Sequence, residues 1–494
     1  MVAKETAHQL SSPSDTVRSP ARSVNTELER LVPAVDHLLL PDAQFSPTST
    51  PSFYSGYTQE DTRPSQPNAP SNFNATEFAL LSHYLTHTSH AVAFDEEDLY
   101  ALSVGFPNIA FGSKPVMSSM LALAAACKCY SLLKHTSSPL DSLELIHELL
   151  SLADCHHNRA LEDIQYAIHS QNTYDEVLAN AALMVLYSSA SHSVRIRVAK
   201  AARLAGRELS ASLLPQGSQW VGLIRAAHTA SVGVLGTYTE DPAAEKVDTG
   251  SPVPKVTPAT EGIWRSIRSF LPEDGPSETT RRLFLPIVQS SFGRAFEPLH
   301  NRAQRLASDW SESSPWLESD LNACLEALPT LKSIAADALF GSEETSPSTL
   351  QSVDKLAQIP FENLSNVSTW LGRYMARVTS LTSPKPLRRV IMSFLNLVPI
   401  RFLSTVQSVM DEMSPGGDSS QGVTLNVAQH LAMDIFCHWL VFVTLLDGVW
   451  WIGDIGEWEL GQAISLMKAN EFHGEEGWWP ESMHCVKREL TQHM

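Results

Sequence analysis

No two cysteines in this chain stand in a C-x-x-C spacing, although there are six: Cys127, Cys129, Cys155, Cys324, Cys437 and Cys485. Six is the number a binuclear zinc cluster uses, but its thiolates must converge from closely spaced pairs. The scatter removes that cluster, and no metal ligands or cofactor are expected. G-x-S-x-G, G-x-x-x-x-G-K and H-E-x-x-H are missing too, and with them the nucleophile elbow, the phosphate loop and the zincin base. No run alternates as a half-buried strand does, so the strand-based nucleotide scaffolds go as well. The first residues, MVAKETAHQLSSPSDTV, hold no apolar signal core, so an intracellular protein with reduced thiols is expected. Positive charge is also short. Lys and Arg number 35 against 54 Asp and Glu, a net charge of −19. A nucleic-acid binder gains affinity by neutralising phosphates, so sequence-specific DNA binding by this chain alone is not expected.

What remains is a chain of 494 residues, 43% hydrophobic and 18% charged, long enough to bury a large core. Its most apolar stretch is Leu431–Trp458, LAMDIFCHWLVFVTLLDGVWWIGDIGEW. Leu431, Ile435, Trp439, Phe442, Leu445 and Leu446 recur at helical spacing on nearly every face, which marks a core helix or a membrane span. Asp434 and Asp447 favour the core, because a carboxylate in mid-bilayer costs about 2.5–3.5 kcal/mol. Trp439 should then be enclosed, and Gly448, Gly453 and Gly456 should break the helical run. No membrane partner is expected.

Residues 1–72 are rich in Ser, Thr and Pro and read as a disordered tail. Ser12, Ser19, Ser46 and Thr50 precede prolines, as in many such tails and in sites for proline-directed kinases. Glu27–Leu40 is helical in spacing, either a docking helix for a partner or an arm packed on the parent domain. Helices are expected over Thr76–His90, Lys114–Leu133 and, after an Asp141 N-cap, through Leu143, Ile146, Leu150, Ala153, His157, Ala160 and Ile164. Tyr174–Ser189, Ser193–Leu214 and Gln219–Gly236 follow. An exposed loop over 239–260 separates the N-terminal helical part, 73–238, from the C-terminal one, 261–494. The latter carries Pro286–Trp310, Leu317–Phe340, Phe361–Leu381, Leu387–Met413, a loop over Ser414–Gln421, the central helix and a last helix over Trp458–Ala469. The class is all-α, a large multi-helix array forming one domain.

Chemistry-bearing groups are few. His83, His87 and His90 share one helix face at metal-ligand spacing, but the structural reading is preferred. Cys155, His156 and His157 are adjacent and so point apart. Asp95, Glu96, Glu97 and Asp98 lack the second Asn/Ser/Glu motif that all-α terpene synthases set opposite, and read as a solvated helix start favoured by the macrodipole. Arg195, Arg197, Lys200, Arg203 and Arg207 form a basic helix, read as a solvated face or as a contact for an acidic partner or DNA backbone. Lys385, Arg388 and Arg389 are a weak nuclear-import candidate or an ordinary helix start. Trp450, Trp451, Trp478 and Trp479 either staple the C-terminal segment or line a pocket.

Two sets of motifs carry a family resemblance. LLDGVWWIGDIGEWEL with WWPESM at Trp478–Met483, and LLSHYLTHTS, FPNIAFGSKPVMSSMLALAA and HHNRALEDI earlier, follow in the order found in the helical regulatory region of fungal binuclear zinc-cluster transcription regulators. The resemblance covers about residues 75–235 and 425–494. It implies a nuclear transcription regulator, possible control of a secondary-metabolite gene cluster, protein partners and a homo- or heterodimer. Lacking the family's zinc cluster, the chain would act through a partner, unless an upstream exon is missing from it. The competing classes are an all-α enzyme, which would show a deep polar cavity with converging carboxylates or histidines, and a small-molecule sensor, which would show a closed apolar one.

Overall fold

Asn74 opens the first helix. Its side chain accepts from the Glu77 amide at 2.8 Å, while the Glu77 carboxylate takes the Asn74 amide at 3.0 Å, a reciprocal cap that satisfies two otherwise orphaned donors. A computed structural model describes residues 73–135, 140–167, 174–215, 217–236, 275–310, 315–341, 367–379, 386–413, 424–470 and 477–492. The expected tail over 1–72, with Glu27–Leu40, and the expected loops over 239–260 and 414–421 lie outside these residues.

Among the described residues the chain is all-α, as its periodicity predicts. Helix α1 runs over Ala75–His83, a π-helical turn Tyr84–Thr88 and Ser89–Val92; α2 runs over Glu96–Tyr100, a second π turn Ala101–Gly105 and Phe106–Ala110. Then come α3 (Lys114–His135), α4 (Leu143–Ala167), α5 (Tyr174–Leu204) and α6 (Gln219–Gly236). The second half holds α7 (a π turn Thr280–Phe284, then Leu285–Trp310), α8 (Pro315–Phe340), α9 (Thr369–Thr379), α10 (Leu387–Met392 and Phe394–Leu397) and α11 (Ile400–Glu412). It closes with α12 (Val427–Val443, tightening into the 3-10 turn Thr444–Leu446), α13 (Ile455–Ala469) and α14 (Trp479–Gln492).

Several boundaries differ from expectation, each for a local reason. Helix α5 does not stop at Ser189. Its polar run Ser191–His192–Ser193 is buried and bonded within the fold: Ser191 accepts from Arg195, His192 meets Glu459 and Ser193 donates to the Trp450 carbonyl. Expected Leu387–Met413 is broken at Ser393 and at Val398–Pro399, where α10 and α11 meet at 98°, because proline fixes φ and lacks the amide a continuing helix needs. Helix α4 begins at Leu143, leaving Asp141 outside it. Helix α12 starts at Val427, earlier than Leu431, behind a second Asn–Gln capping box at Asn426 and Gln429. Helix α14 was not expected at all. Pro480 occupies its first turn, where a missing amide costs nothing.

Helix α12 is the centre. Leu431 through Val443 is buried on every side, and α8, α11, α13 and α14 pack around it. Each Leu, Ile, Val or Phe so enclosed contributes about 1.5–3 kcal/mol. Trp439 is fully enclosed and donates to the Ile391 carbonyl at 2.9 Å. Helices α3, α5 and α12 with its 3-10 turn are long and apolar enough to cross a membrane, but 78–94% of each qualifying window is buried inside the fold. Both carboxylates of the apolar stretch are answered. Asp434, wholly buried, accepts from Arg302 at 2.8 Å and from the Trp478 indole at 2.8 Å. Burial raises its pKa, but His438, Arg302 and Trp478 outweigh that and hold it below the usual carboxylate range. Asp447 takes Lys487 at 2.8 Å, both donors of Ser277 and the Thr280 hydroxyl.

Of the three glycines, Gly456 is no breaker. It lies inside α13, and a Cβ there would stand 2.5 Å from the Thr444 nitrogen and 2.6 Å from the Val443 carbonyl carbon. Its absent side chain lets α13 lie against the end of α12. One continuous core joins both halves of the chain, from Leu80 to Met483.

Candidate functional site

Three helices pose polar side chains toward one another. Tyr187, Ser191 and Arg195 fall at i, i+4 and i+8 on α5, and Ser188 with His192 on the adjoining stripe, so all share a broad face. Asp154, His157 and Asn158 come from one turn of α4, and Gln219, Trp220 and Leu223 from the start of α6. Together they line a cavity of about 170 Å³.

Its wall holds an ion pair whose cation is buried and whose carboxylate is partly exposed. Arg195, 1% exposed, donates to Asp154 at 2.7 Å, to the Ser212 carbonyl at 3.1 Å and to the Ser191 hydroxyl. The Tyr187 hydroxyl donates to the other Asp154 oxygen at 2.6 Å. Burial, then the Asp154 charge, pushes the Tyr187 phenol up, so it keeps its proton. The His157 ring lies 4.7 Å from that of Tyr187. Burial lowers His157 to about 4, against a weaker pull from Asp154, so at neutral pH it is an uncharged imidazole with one donor and one acceptor. His192 Nε2 stands 2.7 Å from Glu459. Three buried atoms on the lining residues have no protein partner: His157 Nδ1, His192 Nδ1 and Trp220 Nε1.

An aromatic stack leads inward from the cavity. His192 stacks on Trp220 at 5.9 Å, Trp220 on Trp439 at 6.2 Å and Trp439 on Phe394 at 5.3 Å, with interplanar angles near 20°. The cavity wall thereby touches the central helix. A second cavity, about 130 Å³, is mostly apolar and lies between α5, α6, α9 and α10, with Arg388, Arg389, Asp98 and His228 in its wall. Burial, then the charge of Arg225, lowers His228 to about 4.

The residues singled out in the sequence land elsewhere than expected. The basic helix is solvated at its end, where Arg203 and Arg207 are exposed, while its earlier cations are paired within the fold. Arg197 pairs with Asp454 and covers Tyr130, Lys200 bridges Asp454 and Glu457, and Arg203 lies over Trp458. Arg388 is buried against Phe94 and Trp451, and Arg389 pairs with Asp98 at 2.6 Å, so neither is displayed as an import signal; Lys385 lies outside the described residues. The acidic start of α2 is a clamp, with Asp95 and Glu97 on Arg377 and Asp98 buried. Cys155 is exposed, His156 faces Glu77 at 3.6 Å and His157 enters the cavity. The tryptophans both staple and line. Trp450 donates to the Ala91 carbonyl at 3.0 Å and Trp479 to Ser291 at 2.9 Å, while Trp451 walls the apolar cavity.

Sequence reasoning did not assemble the polar cavity. The signal was the hydroxyl and imidazole run in mid-helix on α5, which was read as a break. The polar cavity gathers Asp154, His157 and His192, and the more apolar one has Asp98, His228, Arg388 and Arg389 in its wall. No protein-family model, no curated protein and no solved structure matches the chain.

Proposed function

We propose that this chain is the helical regulatory region of a transcription regulator of fungal type, which responds to a small polar molecule held between α4, α5 and α6. The observation that carries the reading is the cavity with its stack. Three buried nitrogen atoms on its lining residues have no protein partner, and each such group costs about 1–3 kcal/mol unless something bonds to it. An occupant that supplies those bonds presses on Trp220, and through it on Trp439 of the helix that leads into the resembling block. Such a ligand is uncharged or zwitterionic and rich in hydrogen-bonding groups, because Arg195 and Asp154 already neutralise each other. Action on genes through a protein partner fits the acidic net charge of −19. Control of a biosynthetic gene cluster is the role the resemblance suggests.

The test fuses the full chain to a heterologous DNA-binding domain and reads a reporter gene in a fungal host. Reporter output that departs from that of the DNA-binding domain alone is expected. Output equal to it overturns the reading.

A second reading, an all-α enzyme, is favoured by the convergence of Asp154, His157 and His192 on the polar cavity. Ser191, its candidate hydroxyl, is held by Arg195 rather than by an imidazole, which weighs against nucleophilic catalysis. Native mass spectrometry of the purified chain separates the two: a regulator returns its occupant unchanged, and an enzyme releases a product of different mass.

A further inference from the structure

The first π-helical turn lies against α3, and it gathers three metal-binding groups. His83 precedes the turn, His87 sits in it, and Cys127 faces them from α3. One ligand atom from each lies within 4.8 Å of the others, the only such group among the described residues. His90, third in the sequence pattern, is not part of it. The turn is genuine π geometry, since the Ser89 amide reaches back to the Tyr84 carbonyl, and π turns are rare and concentrate at functional sites.

We propose that His83, His87 and Cys127 bind one metal ion of the zinc class at this junction of α1 and α3. The donor set decides the class: two imidazoles and a thiolate suit zinc and its N/S-preferring neighbours and suit magnesium or calcium poorly. In a tetrahedral site with bonds of about 2.0–2.3 Å, ligand atoms stand roughly 3.3–3.6 Å apart. From that 4.8 Å limit the group contracts by at most roughly 1.2–1.5 Å to reach these bond lengths, and His87, which is exposed, can make that movement. The Thr88 hydroxyl is 3.0 Å from His83 Nδ1, which places an orienting group behind that ligand. On binding, the Cys127 thiol gives its proton to solvent and its sulfur lone pair to the ion. Three protein ligands leave a fourth position for water, on the side where His87 is exposed. This site is separate from the cavity between α4, α5 and α6 and does not depend on the regulatory reading.

The experiment titrates Co²⁺ alone into the full chain, with the exposed thiols removed by Cys155→Ser and Cys485→Ser. One equivalent should bind and give a thiolate-to-cobalt charge-transfer band. His87→Ala, at an exposed position that leaves the fold intact, should weaken binding by at least about tenfold, the lower bound for losing even an outer-shell partner. Cys127→Ser should abolish the band. A folded parent chain that gives no band, or a band that survives His87→Ala and Cys127→Ser at full strength, overturns the proposal.

Discussion

Replacing Trp439 by alanine is the most direct test of how this core is built. The indole is fully enclosed, stacked on Phe394 at 5.3 Å, tilted against Phe436 at 5.2 Å and bonded to the Ile391 carbonyl at 2.9 Å. Truncating a buried Trp costs about 3–5 kcal/mol in transfer and cavity terms. The aromatic pairs, worth about 0.5–1.5 kcal/mol each beyond burial, and the lost donor to Ile391 place this site at the upper end. Against a typical total of about 5–15 kcal/mol, Trp439→Ala should leave little soluble folded protein. Trp439→Phe keeps the ring and most of the volume, and loses chiefly the hydrogen bond, about 1–3 kcal/mol. Urea unfolding followed by far-UV circular dichroism measures both, with an unchanged slope showing that stability alone has moved. A midpoint for Trp439→Ala equal to that of the parent would refute the placement of α12 at the centre.

Two further outcomes follow from single positions. Gly456→Ala should destabilise by at least about 1–3 kcal/mol, because its Cβ meets the Val443–Thr444 backbone; Gly293→Ala, in α7 with nothing within 4 Å, should instead stabilise by up to ~1 kcal/mol through helix propensity. Thermal midpoints that move together in the two variants would contradict this. His157 is held near 4 in the fold against an ordinary 6.5, so the unfolded chain takes up a proton that the native state refuses. Stability should therefore fall as pH drops from about 6.5 toward 4, by up to ~3 kcal/mol from this residue. His157→Gln should flatten that part of the pH–stability curve, and an unaltered curve would show that the imidazole is not buried uncharged.

Most helices were legible because they are amphipathic or apolar all round. The three- and four-residue spacing of α4 and the unbroken apolar run of α12 are readable in one dimension. The two capping boxes, Asn74 with Glu77 and Asn426 with Gln429, were legible as well and would have placed both helix starts. The polar interior was not readable. His192 looked like part of a break because its partner, Glu459, is 267 residues away. Lys200 looked solvated because Asp454 and Glu457 are about as remote. Spacing along one helix tells which side chains share a face, but not what faces them. For the same reason His83 and His87 were visible as a pair while Cys127, on another helix, was not, and the cavity between α4, α5 and α6 had no linear signature at all.

The dependence of α12 on α14 sets an order of events during synthesis. Asp434 is 44 residues upstream of Trp478, whose indole it needs, and Asp447 is 40 upstream of Lys487. At a translation rate of roughly 5–20 residues per second, the ribosome takes about 2–9 s to make the stretch between Asp434 and Trp478. The most apolar stretch of the chain therefore emerges when Arg302, Ser277 and Thr280 can already meet its carboxylates, but before Trp478 and Lys487 exist. The final closure is a late docking step, and the interval before it is when aggregation competes with folding and when a chaperone has something to hold.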